Sequence, residues 1–157
     1  MQSDIKCSTA MELGFVFSIL TTITGSIFAH TEWHSYWNWD PRETSIVILL
    51  LIFAAYLVLR GSVTEPDTRA RLSSAYVLVS VVPGLFLLWI VPQIIETTLH
   101  PKTVMGGALE GNYRLVLYGL SLPAYLGVFI WLFQLKVRLE KIALRRSARS
   151  AETSVIQ

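Results

Sequence analysis

With 157 residues, 53% of them hydrophobic, the chain has the size of one domain and the composition of a membrane protein. Its net charge of +2 is too small to argue for nucleic acid. The single cysteine, Cys7, excludes an intramolecular disulfide and any thiolate metal cluster built within one chain.

Four apolar runs approach or exceed the roughly 20 residues that cross about 30 Å of hydrocarbon. The polar start, residues 1–11, does not resemble a cleavable signal, so the first run, 11–29, is expected to stay in the bilayer as an anchor. Gly14 and Gly25, with Ser18 and Ser26, give that run small positions for close helix packing. The second run is 45–59, lengthened by a strong start signal at Asp40-Pro41-Arg42-Glu43. An acid at the N-cap, proline at the first helical position and glutamate at the third make a capping box. The third run, 75–99, contains Pro83 and Pro92, and the fourth, 115–137, contains Pro123. Each proline frees a carbonyl and bends its helix. In lipid these runs must be helical, because no water is present to satisfy the backbone. The expected fold is all-α: an integral membrane bundle of four transmembrane helices forming one membrane domain over residues 1–145, with a flexible tail over 146–157.

Charge sets the expected orientation. Arg60, Arg69 and Arg71 follow the second run, and Lys136, Arg138, Lys141, Arg145, Arg146 and Arg149 follow the fourth. The opposite side carries only Arg42, Lys102 and Arg114. Lysine and arginine accumulate on the cytoplasmic side, so both termini are expected to be cytoplasmic and the loop 30–44 to face outward, together with the segment after His100.

That outer loop holds Trp33, Trp37 and Trp39, three of the five tryptophans, with Tyr36 among them. Such crowding suits a membrane surface, where the ring stays apolar and its N–H reaches water. It reads either as a dense aromatic belt or as a binding platform. All three histidines, His30, His34 and His100, lie at or near the outer end of a run. An imidazole there can bind a metal, sense pH or simply be solvated. His30 and His34 stand four apart, as two ligands on one helical face do, but no third ligand at fixed spacing joins them to make a zinc site. Aromatic rings beside an imidazole also suit a porphyrin, with stacking on the macrocycle and a neutral nitrogen on the iron.

Trp33-x-x-x-Trp37-x-Trp39-Asp40 resembles the tryptophan-rich signature of the cytochrome c assembly family of haem-handling membrane proteins. Thr24-Gly25-Ser26, Asp40-Pro41-Arg42-Glu43-Thr44-Ser45 and Glu96-Thr97-Thr98-Leu99-His100 extend the likeness over roughly residues 11–145. It is nearest to the haem-delivery branch, although the Asp-Pro-Arg-Glu start is closer to the larger synthetases and lyases of the superfamily. Where the family's motif usually has glycine after the first tryptophan, this chain has His34. The family also has further spans, with a second outer histidine, ahead of the one that begins here.

The resemblance implies non-covalent, transient binding of haem b on the outer face of a bacterial or organellar inner membrane, and its delivery for cytochrome c biogenesis. Trp33, Trp37 and Trp39 would form the porphyrin platform, and His100 would be the axial ligand to the iron. Asp40, among the cofactor-binding residues of the resemblance, would cap the helix and fix the platform or itself touch haem, and Arg42 or Arg114 would pair with a propionate. A haem chaperone and the transporter subunits of the maturation system are the implied partners, beside membrane lipid. The second axial ligand is left to His30 or His34, to a separate chain that supplies the earlier spans, or to no residue at all. No covalent chemistry is required of the chain, so it is not read as an enzyme. The alternatives are a redox subunit with a permanent b-type haem and a structural subunit of an assembly complex.

Overall fold

A computed structural model of the chain describes residues 2–95, 99 and 111–155. Among the described residues every regular element is helical. They are α1 (Gln2–Trp33), α2 (Pro41–Ser62), α3 (Pro66–Leu85), a π-helical segment (Phe86–Ile90), α4 (Val91–Ile94), α5 (Gly111–Arg114), a second π-helical segment (Leu115–Ser121) and α6 (Leu122–Val155). Among the described residues four stretches are long and apolar enough to cross a membrane: Ser3–Trp33, Pro41–Ser62, Pro66–Ile90 and Leu115–Ser147. The chain is a multi-pass membrane protein. It divides into two compact units, residues 11–110 and residues 1–10 with 111–157.

In the unit of residues 11–110, α2 is the central helix. Its buried face runs through Ser45, Leu49 and Tyr56, with Phe53 on the same stripe. That spacing of four, four and three is one side of a helix. On α3 the matching stripe is Ser73, Tyr76, Ser80 and Gly84, mostly small residues that let the two backbones approach. The Tyr76 hydroxyl donates to the Ile52 carbonyl at 2.9 Å, and the Tyr56 and Tyr76 rings lie 6.2 Å apart. Tyr56 is fully buried. From α1, Gly14 meets the tip of Phe53: a Cβ built there would stand 2.8 Å from Phe53 Cζ. Gly14, Ser18 and Ala29 make the small, packed side of α1, whereas Gly25 has open space around it.

The helices are longer than the apolar runs that announce them. The largest difference is in the third, expected at 75–99 but helical from Pro66. Glu65 is its N-cap and accepts from the Asp67 and Thr68 amides. Arg69 and Arg71 are therefore first-turn and second-turn residues of α3 rather than loop residues. Hydropathy marks where lipid begins, and capping chemistry marks where the helix begins. Residues 63–65 are thus a short connection that makes α2 and α3 an antiparallel pair, so the far end of the third run returns toward the start of α2.

Near that end the helix changes its turn. The Val91 amide bonds to the Phe86 carbonyl, five residues back, just ahead of Pro92. Pro92 has no N–H, and its ring would clash with the carbonyl four residues behind it, so a wider turn relieves both problems. The same sequence arrangement recurs where Leu115–Ser121 precedes Pro123. Pro83, by contrast, sits within regular α3. The backbone turns extended at Ile95, where α4 ends.

In the other unit, Ile5, Thr9 and Val137 are buried and Phe129 stacks on Phe133 along α6. α6 stays helical to Val155, past the point near Arg145 where fraying is expected. Lys141, Ala143, Leu144, Arg145, Arg146 and Arg149 are good helix formers that outnumber the poorer serines of that stretch.

Val58, Leu78, Val79 and Val82 are each more than 70% exposed. On a protein in water such a surface would be an association site, but for a bundle in lipid it is the solvated side. Hydroxyls inside these helices turn back onto their own backbone. Thr22 donates to the Ser18 carbonyl at 2.8 Å, Ser45 to Pro41 at 2.7 Å and Ser80 to Tyr76 at 2.7 Å.

Candidate functional site

The tryptophan loop, residues 34–40, closes between two helix ends. At the first, the His34 amide donates to the His30 carbonyl at 3.0 Å and His34 takes φ 56°. This is the left-handed residue that ends a helix, a position where glycine is favoured because a Cβ is crowded there. Glycine would meet this geometry without strain, and histidine, one of the more tolerant non-glycine residues, meets it here. Trp39 also has φ 56°, and it reverses the backbone directly before the N-cap.

At the second end the capping box is fully formed. Asp40 Oδ1 accepts from the Arg42 amide at 2.9 Å. Glu43 Oε2 accepts from the Asp40 amide at 3.2 Å and from the Asn38 amide at 2.8 Å. Ser35 Oγ donates to the Trp37 carbonyl at 3.0 Å, and Thr44 Oγ1 reaches the Trp39 carbonyl at 3.5 Å. The loop therefore satisfies much of its own backbone, which makes it an ordered element. Glu43 does more than the box requires, because it also holds Asn38.

The aromatic side chains do not form a single flat platform. Trp37 and Trp39 meet edge to face, with centroids 5.8 Å apart and planes at 86°. Trp33, the last residue of α1, is half-buried with its ring perpendicular to Phe28 at 6.0 Å. Only one of Trp37 and Trp39 can therefore lie flat against a given planar group, and Trp39 is 72% exposed while Trp37 is half-buried. His30 and Tyr36 are stacked at 4.2 Å and 18°, a pair that composition alone does not announce. Two buried donors of the same region have no hydrogen-bond partner among the described residues: Asn38 Nδ2 and Arg42 Nε. Among the described residues no three His, Cys, Asp or Glu side chains come together as a metal cage.

Asp40, at 5% exposure, reaches beyond its own helix. Its Oδ2 accepts from the Leu99 amide at 2.8 Å. The tryptophan loop and the chain at residue 99 are thereby joined. His100 and Glu96 lie outside the described residues, as does the Arg114 side chain.

The model of the family described as cytochrome C assembly protein matches residues 1–100. The chain belongs to the cytochrome c assembly family. Among its curated relatives, heme exporter protein C of Bradyrhizobium diazoefficiens is 31% identical over 156 residues, 96% of this chain and 57% of the relative. Heme exporter protein C of Paracoccus denitrificans is 31% identical over 142 residues, 88% of this chain and 58% of the relative. The cytochrome c biogenesis protein CcsA of Ranunculus macranthus is 37% identical over 89 residues, 57% of this chain and 26% of the relative. The chain spans less than three fifths of the haem exporters it matches. The family resemblance carried by Trp33, Trp37, Trp39 and Asp40 is borne out.

Proposed function

We propose that the chain holds haem on the outer face of the membrane and releases it for cytochrome c biogenesis. The observation that carries this reading is the tryptophan loop itself. An ordered segment leaves Trp39 exposed, and in the same loop and helix start two buried donors, Asn38 Nδ2 and Arg42 Nε, have no hydrogen-bond partner among the described residues. Exposed indole is suited to stacking on a macrocycle, and unpaired N–H donors in low dielectric are suited to carboxylates such as propionates. Trp33 and Trp37 would complete the aromatic surroundings, and His100 would supply the axial nitrogen to the iron. The names of the relatives, heme exporter protein C and cytochrome c biogenesis protein CcsA, point the same way.

On this reading haem b is cargo, bound without a covalent link and surrendered intact. A haem chaperone and the transporter subunits of a maturation system would be its partners. A separate chain would provide the second axial histidine, with the His30 ring stacked on Tyr36 instead. Both termini would be cytoplasmic, with the membrane a bacterial or organellar inner membrane. No bond in the cargo needs to be made or broken by this chain.

Delivery is tested in cells that lack their own copy of the protein. Wild-type chain, supplied with whatever partner the host needs, should restore covalent haem in c-type cytochromes, visible by peroxidase staining of denaturing gels. Trp39→Ala and His100→Ala should each restore far less. Restoration by both variants at the wild-type level would refute the reading.

A further inference from the structure

The two oxygens of Asp40 have separate partners. Oδ1 accepts from the Arg42 amide and starts α2, while Oδ2 accepts from the Leu99 amide, 59 residues further along. Capping needs only one acceptor, and serine caps a helix about as well as aspartate. Capping therefore leaves the second oxygen unexplained. With 5% exposure the carboxylate is shielded from competing water, so the bond it makes to Leu99 is a strong, charge-assisted one. Its aim is set beforehand from the other side. Glu43 Oε2 holds the Asp40 and Asn38 amides together, so the carboxylate is oriented by its own capping box. Extended backbone at Ile95 ends the regular helix, and beyond it the bond to Asp40 anchors the chain at Leu99. Leu99 is covalently next to His100.

We propose that Asp40 is a positioning residue: its Oδ2 latches the main chain at Leu99 to the tryptophan loop. The latch holds two segments of the site, separated by three helices' worth of chain, at one place. Asp40 acts here through the main chain, with one backbone amide on each of its oxygens. This inference rests on the haem-holding reading for its consequence, but the latch itself is independent of haem.

The test uses the full chain purified in detergent micelles, with amide hydrogen exchange and haem titration as separate measurements. Asp40→Ser keeps a capping oxygen but is too short to reach Leu99. Asp40→Ala loses both functions. In the absence of haem, Asp40→Ser should leave the first turn of α2 as protected as in the wild type, while the Leu99 amide exchanges about tenfold faster or more. That factor corresponds to losing one charge-assisted hydrogen bond. In titrations with haemin, Asp40→Ser should bind about tenfold more weakly and shift the Soret band. Leu99→Pro, which deletes the donor and leaves Asp40 intact, should do the same, and the double variant should lose little more than either single one. Unchanged exchange at Leu99 in Asp40→Ser would overturn the latch, whatever haem does. Faster exchange with an unaltered haem titration and spectrum would reduce Asp40 to a helix cap and overturn the positioning role. If the wild-type chain takes up no haem, the functional reading fails, and the exchange result still decides the latch.

Discussion

Replacing His34 by glycine should stabilise the protein, although it removes a side chain. His34 terminates α1 with φ 56° while its amide bonds back to the His30 carbonyl at 3.0 Å. A left-handed backbone costs a residue with a Cβ about 1–2 kcal/mol. Glycine avoids that cost but gives back about 0.4–1 kcal/mol through the larger entropy of its unfolded chain. The exposed imidazole contributes little packing to offset the difference. A net gain of about 0.5–1 kcal/mol follows, which for a chain of this length raises the unfolding midpoint by about 2 °C. The assay is thermal unfolding in a single detergent, followed by far-ultraviolet ellipticity, with His34→Ala as the control. Alanine keeps the Cβ and the left-handed geometry, so it should match the wild type or fall slightly below it. A His34→Gly protein less stable than His34→Ala would refute the argument, because the side chain and not the backbone would then dominate at this position.

Gly14→Leu should destabilise the packing of α1 on α2 by about 1–3 kcal/mol, since even a Cβ would stand 2.8 Å from Phe53 Cζ. Phe53→Ala should recover part of the loss in the same unfolding assay, which would not happen if Gly14 mattered only for helix flexibility. The Glu65 carboxyl is held below the ordinary glutamate value of 4.5, first by the Thr68 side-chain hydrogen bond and then by the Thr68 and Asp67 amides. A depressed carboxylate stabilises the start of α3 above that value and ceases to as pH falls through the lower, folded one. Titration of the Thr68 amide chemical shift should therefore show a midpoint below 4.5, and a midpoint above it would contradict the cap. With Cys7 replaced by serine, cysteine at Ser35 should react with an impermeant thiol reagent added to intact cells, and cysteine at Ser62 should not. Labelling at residue 62 alone would invert the orientation.

Much of this protein is legible from its residue types, and what escapes is mostly geometry. Four apolar runs predict four long helices because lipid leaves the backbone no alternative. The capping box at Asp40-Pro41-Arg42-Glu43 is equally legible, since each of its bonds is local in sequence. The start of α3 at Glu65-Pro66-Asp67 carries the same kind of signal, but there the nearby Arg69 and Arg71 suggest a loop when charge is read for topology. The arrangement of the tryptophan rings escapes for a different reason. Composition counts rings, whereas the angle between Trp37 and Trp39 depends on the left-handed turn at Trp39. The bond from Asp40 to Leu99 is illegible in principle, because it joins residues 59 apart through a backbone amide, which no side-chain pattern records. The departure at His34 is legible as a departure, and its conformational cost emerges only from the φ angle.

The central claim is that this chain holds haem, with the tryptophan loop and His100 as its means. The most direct measurement is the absorption spectrum of the purified protein after addition of haemin and removal of the excess, taken for the wild type, His100→Ala and Trp37→Ala/Trp39→Ala. The account predicts a Soret band for the wild type that His100→Ala shifts or abolishes. The double tryptophan variant should weaken binding, each lost aromatic contact being worth about 0.5–1.5 kcal/mol beyond its buried area. A spectrum indifferent to His100 and to both tryptophans, or lost instead with His30→Ala or His34→Ala, would contradict it.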